Sequence, residues 1–272
     1  MLPYYEAGSH KQTIEQDFHV NHWLEVLDWP PHIHPQIEMI YVRRGMLEVS
    51  IDLQTQVLEA GDFAVAFPHC IHSYRGLAGH REDADVYFYI VNPHMTGDYA
   101  DRIKTHIPRA PFVRRRDLPE DAHVALERLM RQCHEYHSSI AKAYLQIVLA
   151  ATWERLSPER DNMRDQDLPY QALRYVSEHF QQPITADSVA QALCVSKSNL
   201  FRMFSQKLHI TLHQYLNFLR MEAARDMLRN TDRSIMAIVY ECGFESPRTF
   251  NRVFLEVCGM TPRQFRAQCR TE

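Results

Sequence analysis

Two stretches decide the fold: SKSNLFRMF (Ser196–Phe204) and SPRTFNRVF (Ser246–Phe254), set 50 residues apart. At that offset Val189/Val239, Ser196/Ser246, Arg202/Arg252, Phe204/Phe254 and Thr211/Thr261 are identical. Leu200/Phe250, Met203/Val253 and Ile210/Met260 stay apolar. A match at one fixed period marks a single supersecondary unit used twice. Each copy reads as a short helix, a tight turn and a second helix, the pattern of helix-turn-helix units. Two such units about one DNA turn apart would read adjacent major-groove segments.

Within the first copy, Thr185 or Asp187 is expected to cap a helix carrying Val189, Ala190 and Leu193, and Ser196 to cap the next. There Leu200, Met203, Phe204 and Leu208 share the core face, leaving Lys197, Ser198, Phe201, Arg202 and Gln206 outward. In the second copy Ile235, Ile238 and Val239 lie on the first helix, and Gly243–Ser246 form the turn. Phe250, Val253, Phe254 and Val257 then face inward, and Arg248, Asn251, Arg252 and Leu255 outward. Leu212–Arg229 forms a bridging helix with Tyr215, Leu216, Leu219, Ala223 and Met227 inward.

Charge follows this division. The net is −4 overall. Residues 165–272 hold 13 Lys+Arg against 11 Asp+Glu, whereas residues 1–164 hold 17 against 23. Eleven of the 13 C-terminal cations are Arg, the side chain suited to bidentate contacts with guanine and phosphate. Arg outnumbers Lys along the whole chain, so composition explains part of that excess.

Upstream, residues 1 to about 95 read as short strands: Phe18–Trp29, Gln36–Arg43, Met46–Leu53, Asp62–Phe67 and Val86–Val91. Gly45, Gly61, Pro68 and the polar loop Gly76–Asp85 punctuate them. That spacing suggests a small barrel or jelly roll. From 119 to 156 the period turns helical. Pro119 and acids open a helix with Val124, Leu126, Leu129, Met130 and Cys133 in a stripe. A second helix carries Ile140, Tyr144, Ile147, Val148, Ala151 and Leu156. The pair packs on the barrel, and part of its surface is a candidate homodimer interface. The chain is therefore an α+β multidomain protein: a barrel over 1–118, a helix pair over 119–156, a polar linker over 157–167 and an all-α domain over 168–272 with two helix-turn-helix units.

The six cysteines are scattered without a C-x-x-C pair, as in a reduced cytosolic protein. No apolar run reaches the roughly 18 residues of a membrane helix, so no membrane is expected. No signal-peptide plan opens the chain, and the expected location is the bacterial cytoplasm.

In the barrel, His32, His34 and Glu38 fall at i, i+2 and i+6 and share a strand face; another His from a neighbouring strand would complete a site for Fe, Mn, Ni or Zn. Trp23, Trp29, Tyr41, Tyr87 and Tyr89 are candidates for an apolar pocket wall. Because strand residues alternate, about half of them would point inward.

Phe204, Tyr215-Leu216-Asn217, Arg220, Ala224, Ile235–Ala237, Gly243-Phe244, Phe250, Arg252, Phe254, Gly259–Pro262 and Phe265-Arg266 resemble the DNA-binding domain of the AraC/XylS regulators over the last hundred or so residues. That resemblance implies a transcription regulator, activation being the expected sense. Double-stranded DNA and RNA polymerase would be its partners, and a sugar or other metabolite its effector. It maps base readers to Ser198, Phe201 and Arg202, and to Arg248, Thr249 and Arg252. His209 stands where that family often has Gly, and Ser205 and Leu255 where Lys commonly follows the Arg-x-Phe core.

The segment His32–Gly45, with Gly61 and His72, resembles the cupin superfamily, departing from it at Phe67, His69 and Gly76. This resemblance maps metal ligands to His32, His34, Glu38 and His72. A hydrogen-bonded lining that requires no cofactor is the competing reading. The alternatives to an effector-controlled regulator are a ligand-independent one whose barrel serves only dimerisation, and a metal-dependent cupin enzyme fused to a DNA-binding domain.

Overall fold

The computed structural model describes residues 17–24, 28–52, 54–77, 79, 84–131, 138–161 and 166–270. Cys133 and residues 162–165 of the expected linker lie outside them. The chain divides into two compact units at residues 164/165.

The first unit holds two antiparallel sheets. One runs in the order β1 (Phe18–Trp23), β8 (Asp85–Val91), β3 (Ile37–Arg44), β6 (Phe63–Ala66), β10 (Phe112–Val113). The other runs β2 (Trp29–His32), β7 (His72–Gly76), β4 (Met46–Ile51), β5 (Gln54–Glu59). A short pair, β9 (His106–Pro108) and β11 (Pro158–Arg160), stands apart. Between β8 and β9 comes the helix α1 (Ala100–Thr105).

The expected strand Phe18–Trp29 is two strands belonging to different sheets. Strand β11 falls inside the expected linker, where Arg109 Nε donates to Glu159 at 2.7 Å. A polar stretch is therefore no proof of irregular chain when its backbone finds a partner strand.

Helices α2 (Glu120–Arg131) and α3 (Ser138–Leu156) pack on the barrel in one continuous core. They contribute Ala125, Leu126, Leu129 and Met130, and Ala141, Leu145, Val148, Leu149, Trp153 and Leu156 to that core. Val124, Ile140 and Ile147, expected on the apolar stripe, are instead exposed. Apolar residues surround much of α3, so periodicity alone could not choose the buried face.

The second unit is helical: α4 (Leu168–His179), α5 (Ala186–Ala192), α6 (Lys197–Lys207), α7 (Leu212–Asn230), α8 (Ile235–Glu241), α9 (Pro247–Cys258) and α10 (Pro262–Cys269). Side chains fix the helix starts. Thr185, Thr211 and Thr261 make capping boxes, while Ser196, Ser234 and Ser246 each accept an amide of the first turn. Met221, Ala224, Leu228, Ile238, Val239, Phe244, Phe250, Val253 and Phe254 form a core of their own. Val257, expected inward, is 51% exposed.

The repeat is not uniform. The first helices align at an offset of 49: N-caps Thr185 and Ser234, left-handed Cys194 and Gly243. The second helices align at 50, from Ser196 and Ser246. The extra residue is Glu245, and the Val189/Val239 identity does not mark equivalent positions.

Candidate nucleic-acid interface and candidate metal centre

In the helical unit, α6 and α9 are the second helices of the two repeats. Leu200, Met203, Phe204 and Leu208 are buried, as are Phe250, Val253 and Phe254. The 3.6-residue period then forces the remaining positions outward. Lys197, Ser198, Phe201, Arg202 and Gln206 on α6, and Arg248, Thr249, Asn251 and Arg252 on α9, lie on that outward side. Phe201 is 48% exposed and Leu255 is 51% exposed, large apolar surfaces on otherwise polar faces.

Neighbours within the unit orient several of these side chains. Arg202 Nη2 donates to Asn199 Oδ1 at 3.1 Å, and Lys197 Nζ to Asp187 at 2.8 Å. Thr249 Oγ1 lies 3.0 Å from Ser246 Oγ, and Arg252 stands 4.0 Å from Glu256. Asn199 and Glu256 were not singled out in the sequence. Their spacings of three and four residues from the arginines are the signal that would have found them.

The barrel places its histidines differently. His32 ends β2, His34 lies in the connection after it, Glu38 lies on β3 of the other sheet and His72 opens β7. The expectation that His32, His34 and Glu38 share one strand face is thereby corrected: a change of sheet brings them together. One donor atom from each lies within 4.8 Å of the others, and all four residues are buried. His34 Nε2 is 2.8 Å and His72 Nε2 3.1 Å from the same Glu38 oxygen. His32 Nδ1 lies 3.0 Å from Pro30 O, and His72 Nδ1 2.8 Å from Cys70 O. Those carbonyls fix the two rings so that Nε2 is the atom left to the cluster. Burial pushes the His34 pKa down. Burial would raise that of Glu38, but hydrogen bonds from His34 and His72 overcome it and hold the carboxyl well below its ordinary value.

Of the expected pocket wall, Trp23 faces this interior. Its ring lies 4.2 Å from Phe88, 6.1 Å from Trp29 and 6.2 Å from Tyr74. Tyr74 also stands 5.8 Å from His72. Tyr41, Tyr87 and Tyr89 do not line it, which corrects the expectation. Tyr41 pairs with Tyr87 and Met39 with Tyr89, on the face opposite Glu38. Tyr89 Oη donates to Leu126 O, Tyr41 Oη lies 3.1 Å from His123 Nδ1, and Tyr87 stacks on His22 at 4.1 Å. Burial raises Tyr41 to about 12, with the charge of Glu127 adding to it. An open groove of about 760 Å³ lies elsewhere, lined by Val57, Glu59, Asp62, Arg114, Arg115 and Arg116.

Comparison with known proteins follows the same division. The helix-turn-helix domain family matches residues 189–268, and the cupin domain family residues 28–88. The transcriptional regulator ArgR of Pseudomonas aeruginosa is 39% identical over 100 residues, 37% of this chain and 30% of that protein. The transcriptional activator RhaS of Enterobacter sp. (strain 638) is 33% identical over 96 residues, 35% of this chain and 34% of that protein. The chain thus matches about a third of the length of these curated relatives. A single-residue variant of ToxT from Vibrio cholerae, solved in its apo form, superposes over 92% of this chain and 97% of its own, with a TM-score of 0.58 at 11% identity. Wild-type ToxT bound to unsaturated fatty acid covers 92% and 94%, with a TM-score of 0.54 at 13% identity. Both share the fold.

Proposed function

We propose that this chain, which pairs an AraC-type helix-turn-helix domain with a cupin domain, is a sequence-specific DNA-binding transcription regulator whose barrel takes a regulatory ligand. The observation that carries this reading is the repeated helix pair, with equivalent serine caps and an outward arginine at the same position of each second helix. Arg202 and Arg252 are proposed as readers of base edges, with Ser198, Arg248, Thr249 and Asn251 beside them and Phe201 covering a thymine methyl. Lys197 and Gln206 flank that face. In the test, the full chain selects duplexes from a random pool, and binding to the winner is compared with binding to a scrambled duplex. A ratio of at least about a thousandfold is expected at physiological salt. Equal binding to both would overturn the reading.

For the barrel, His32, His34, Glu38 and His72 fit a divalent transition ion: three imidazoles and a carboxylate at single-ion spacing, two of the rings held by backbone carbonyls. When bound, such an ion would tie β2, β3 and β7 to one centre. Iron, manganese, nickel and zinc all suit these donors. ToxT has been solved with unsaturated fatty acid; here a buried histidine cluster suits an ion or a small polar metabolite better than an acyl chain. Protein purified without a histidine tag and reconstituted is expected to hold about one equivalent of metal, and Glu38→Gln to lose it. No stoichiometric metal in the wild type would leave the hydrogen-bonded lining as the role of these residues.

Ligand binding would shift how the two units present DNA, with RNA polymerase as the downstream partner. Ile140 and Ile147, exposed and seven residues apart on one side of α3, support a homodimer through the helix pair. Among the described residues no helix is long and apolar enough to cross a membrane. The similar curated proteins are regulators, which favours this reading over an enzymatic cupin.

A further inference from the structure

The second repeat has a core of its own, so something other than a shared core must set its position against the first. The bridging helix α7 is one such element. A second lies at its middle, where Arg220 reaches back to the end of α4. Its Nε donates to Phe180 O at 2.8 Å and its Nη2 to Gln182 O at 3.0 Å. These carbonyls lie at and just past the helix end, where the backbone has no intrahelical partner and the dipole is negative. The same guanidinium sits 5.6 Å from the Phe244 ring, in the turn of the second repeat.

That turn closes on the same stretch of backbone, sharing Phe180 O with the arginine. Gly243 adopts φ +84, and a Cβ there would stand 2.7 Å from Phe180 O and 2.8 Å from Gln181 O. Only glycine allows this approach. Burial lowers the Arg220 pKa, and the charge of Glu245, the residue by which the second turn is longer, works against that in favour of the cation. Three segments thus meet at one arginine: the end of α4, the middle of α7 and the turn between α8 and α9.

We propose that Arg220, with Gly243, is a clasp that fixes the separation and phase of the two reading helices, making Arg220 a positioning residue for recognition of a two-box DNA site. This rests on the DNA-binding reading above. A fixed separation makes the second box bind at high effective concentration, and that gain is lost when the two readers swing independently. The clasp therefore matters for two boxes at the right spacing and not for one box alone.

The test uses the full chain and a duplex it selects from a random pool. Three derivatives are measured: one box scrambled, the other scrambled, and both kept with five base pairs inserted, about half a turn. The wild type is expected to lose about a hundredfold on the insertion. Arg220→Ala is expected to bind the intact site at least about tenfold more weakly, keep its one-box affinities, and tolerate the insertion better. Gly243→Ala, which leaves Arg220 intact, is expected to do the same, and Arg220→Lys to fall between.

Unchanged intact-site affinity and spacing penalty in Arg220→Ala would overturn the proposal. So would an equal loss on one-box and two-box DNA, which marks a folding residue. Hydrogen exchange without DNA gives a separate readout: Arg220→Ala should speed exchange at both 180–184 and 243–246 while α6 and α9 keep theirs. Protection unchanged at 243–246 would refute the clasp. If the wild type selects no DNA, the DNA-binding reading fails and the exchange measurement alone decides the clasp.

Discussion

In the first helix-turn-helix unit the turn runs from Leu193 to Ser196, and its left-handed position is filled by Cys194. In the second the turn runs from Cys242 to Ser246, and glycine fills that position at Gly243. The contrast recurs at the end of the second helix, where His209 (φ 55) faces its counterpart Gly259 (φ 65). The reading faces differ as well. Phe201 and an Asn199-braced Arg202 stand on α6, whereas Arg248, Asn251 and Arg252 stand on α9. The two copies keep caps, core and one outward arginine, Arg202 or Arg252, and change the rest of what reaches outward or turns the chain. Duplication preserved the frame, and specificity resides in the differences.

Breaking the second face should cost most. Arg252→Ala is expected to weaken binding to the selected DNA by about 1–3 kcal/mol, with preference relaxed at one base pair. Equal weakening on every sequence would reassign Arg252 to a phosphate. Phe201→Ala should instead lose discrimination between thymine and the other bases at a single position, and thymine-to-uracil substitution there, which removes only the methyl, should mimic it. Binding that ignores the methyl would remove the proposed difference between the faces.

The caps probe what the copies share. Ser196 and Ser246 each accept the amide three residues on, at 3.2 Å in both units. Ser196→Ala and Ser246→Ala should therefore cost similar amounts, about 1 kcal/mol each in chemical denaturation. A cap that matters in one unit and not in the other would mean the frames are less alike than their geometry.

The smallest effect runs the other way. His209→Gly and Cys194→Gly relieve a left-handed backbone that side chains rarely adopt, and each should gain up to about 1 kcal/mol less the entropy glycine adds to the unfolded chain. Gly259→Ala should lose about 1 kcal/mol. A loss from His209→Gly would show that the imidazole contributes contacts worth more than the strain.

The sequence carried the helical half well because caps and the 3.6-residue period are local. Thr185, Ser196, Thr211 and Ser246 sit where hydroxyl chemistry demands, and the outward positions follow from the buried ones. The one-residue slip between the copies is masked in the sequence because Val189 and Val239 match by chance at the wrong register. In the barrel, β5 (Gln54–Glu59) is a largely polar edge strand, and β7 (His72–Gly76) ends on glycine; neither shows a clear alternation of apolar residues. Missing β7 hid Tyr74, which walls the histidine cluster. The residue types of His32, His34 and Glu38 were legible within one segment, but the shared strand face was not, because the chain changes sheets between His32 and Glu38. The side taken by Tyr41, Tyr87 and Tyr89 was not, because which face a helix covers is decided by tertiary packing.

The base preferences of the full chain, selected from random duplexes, test the central claim most directly. Two non-equivalent readers predict a bipartite, asymmetric motif, with one box dominated by guanines opposite Arg248 and Arg252 and the other by a thymine-containing step opposite Phe201. Two boxes of the same sequence in direct repeat, or no enriched sequence, would contradict it.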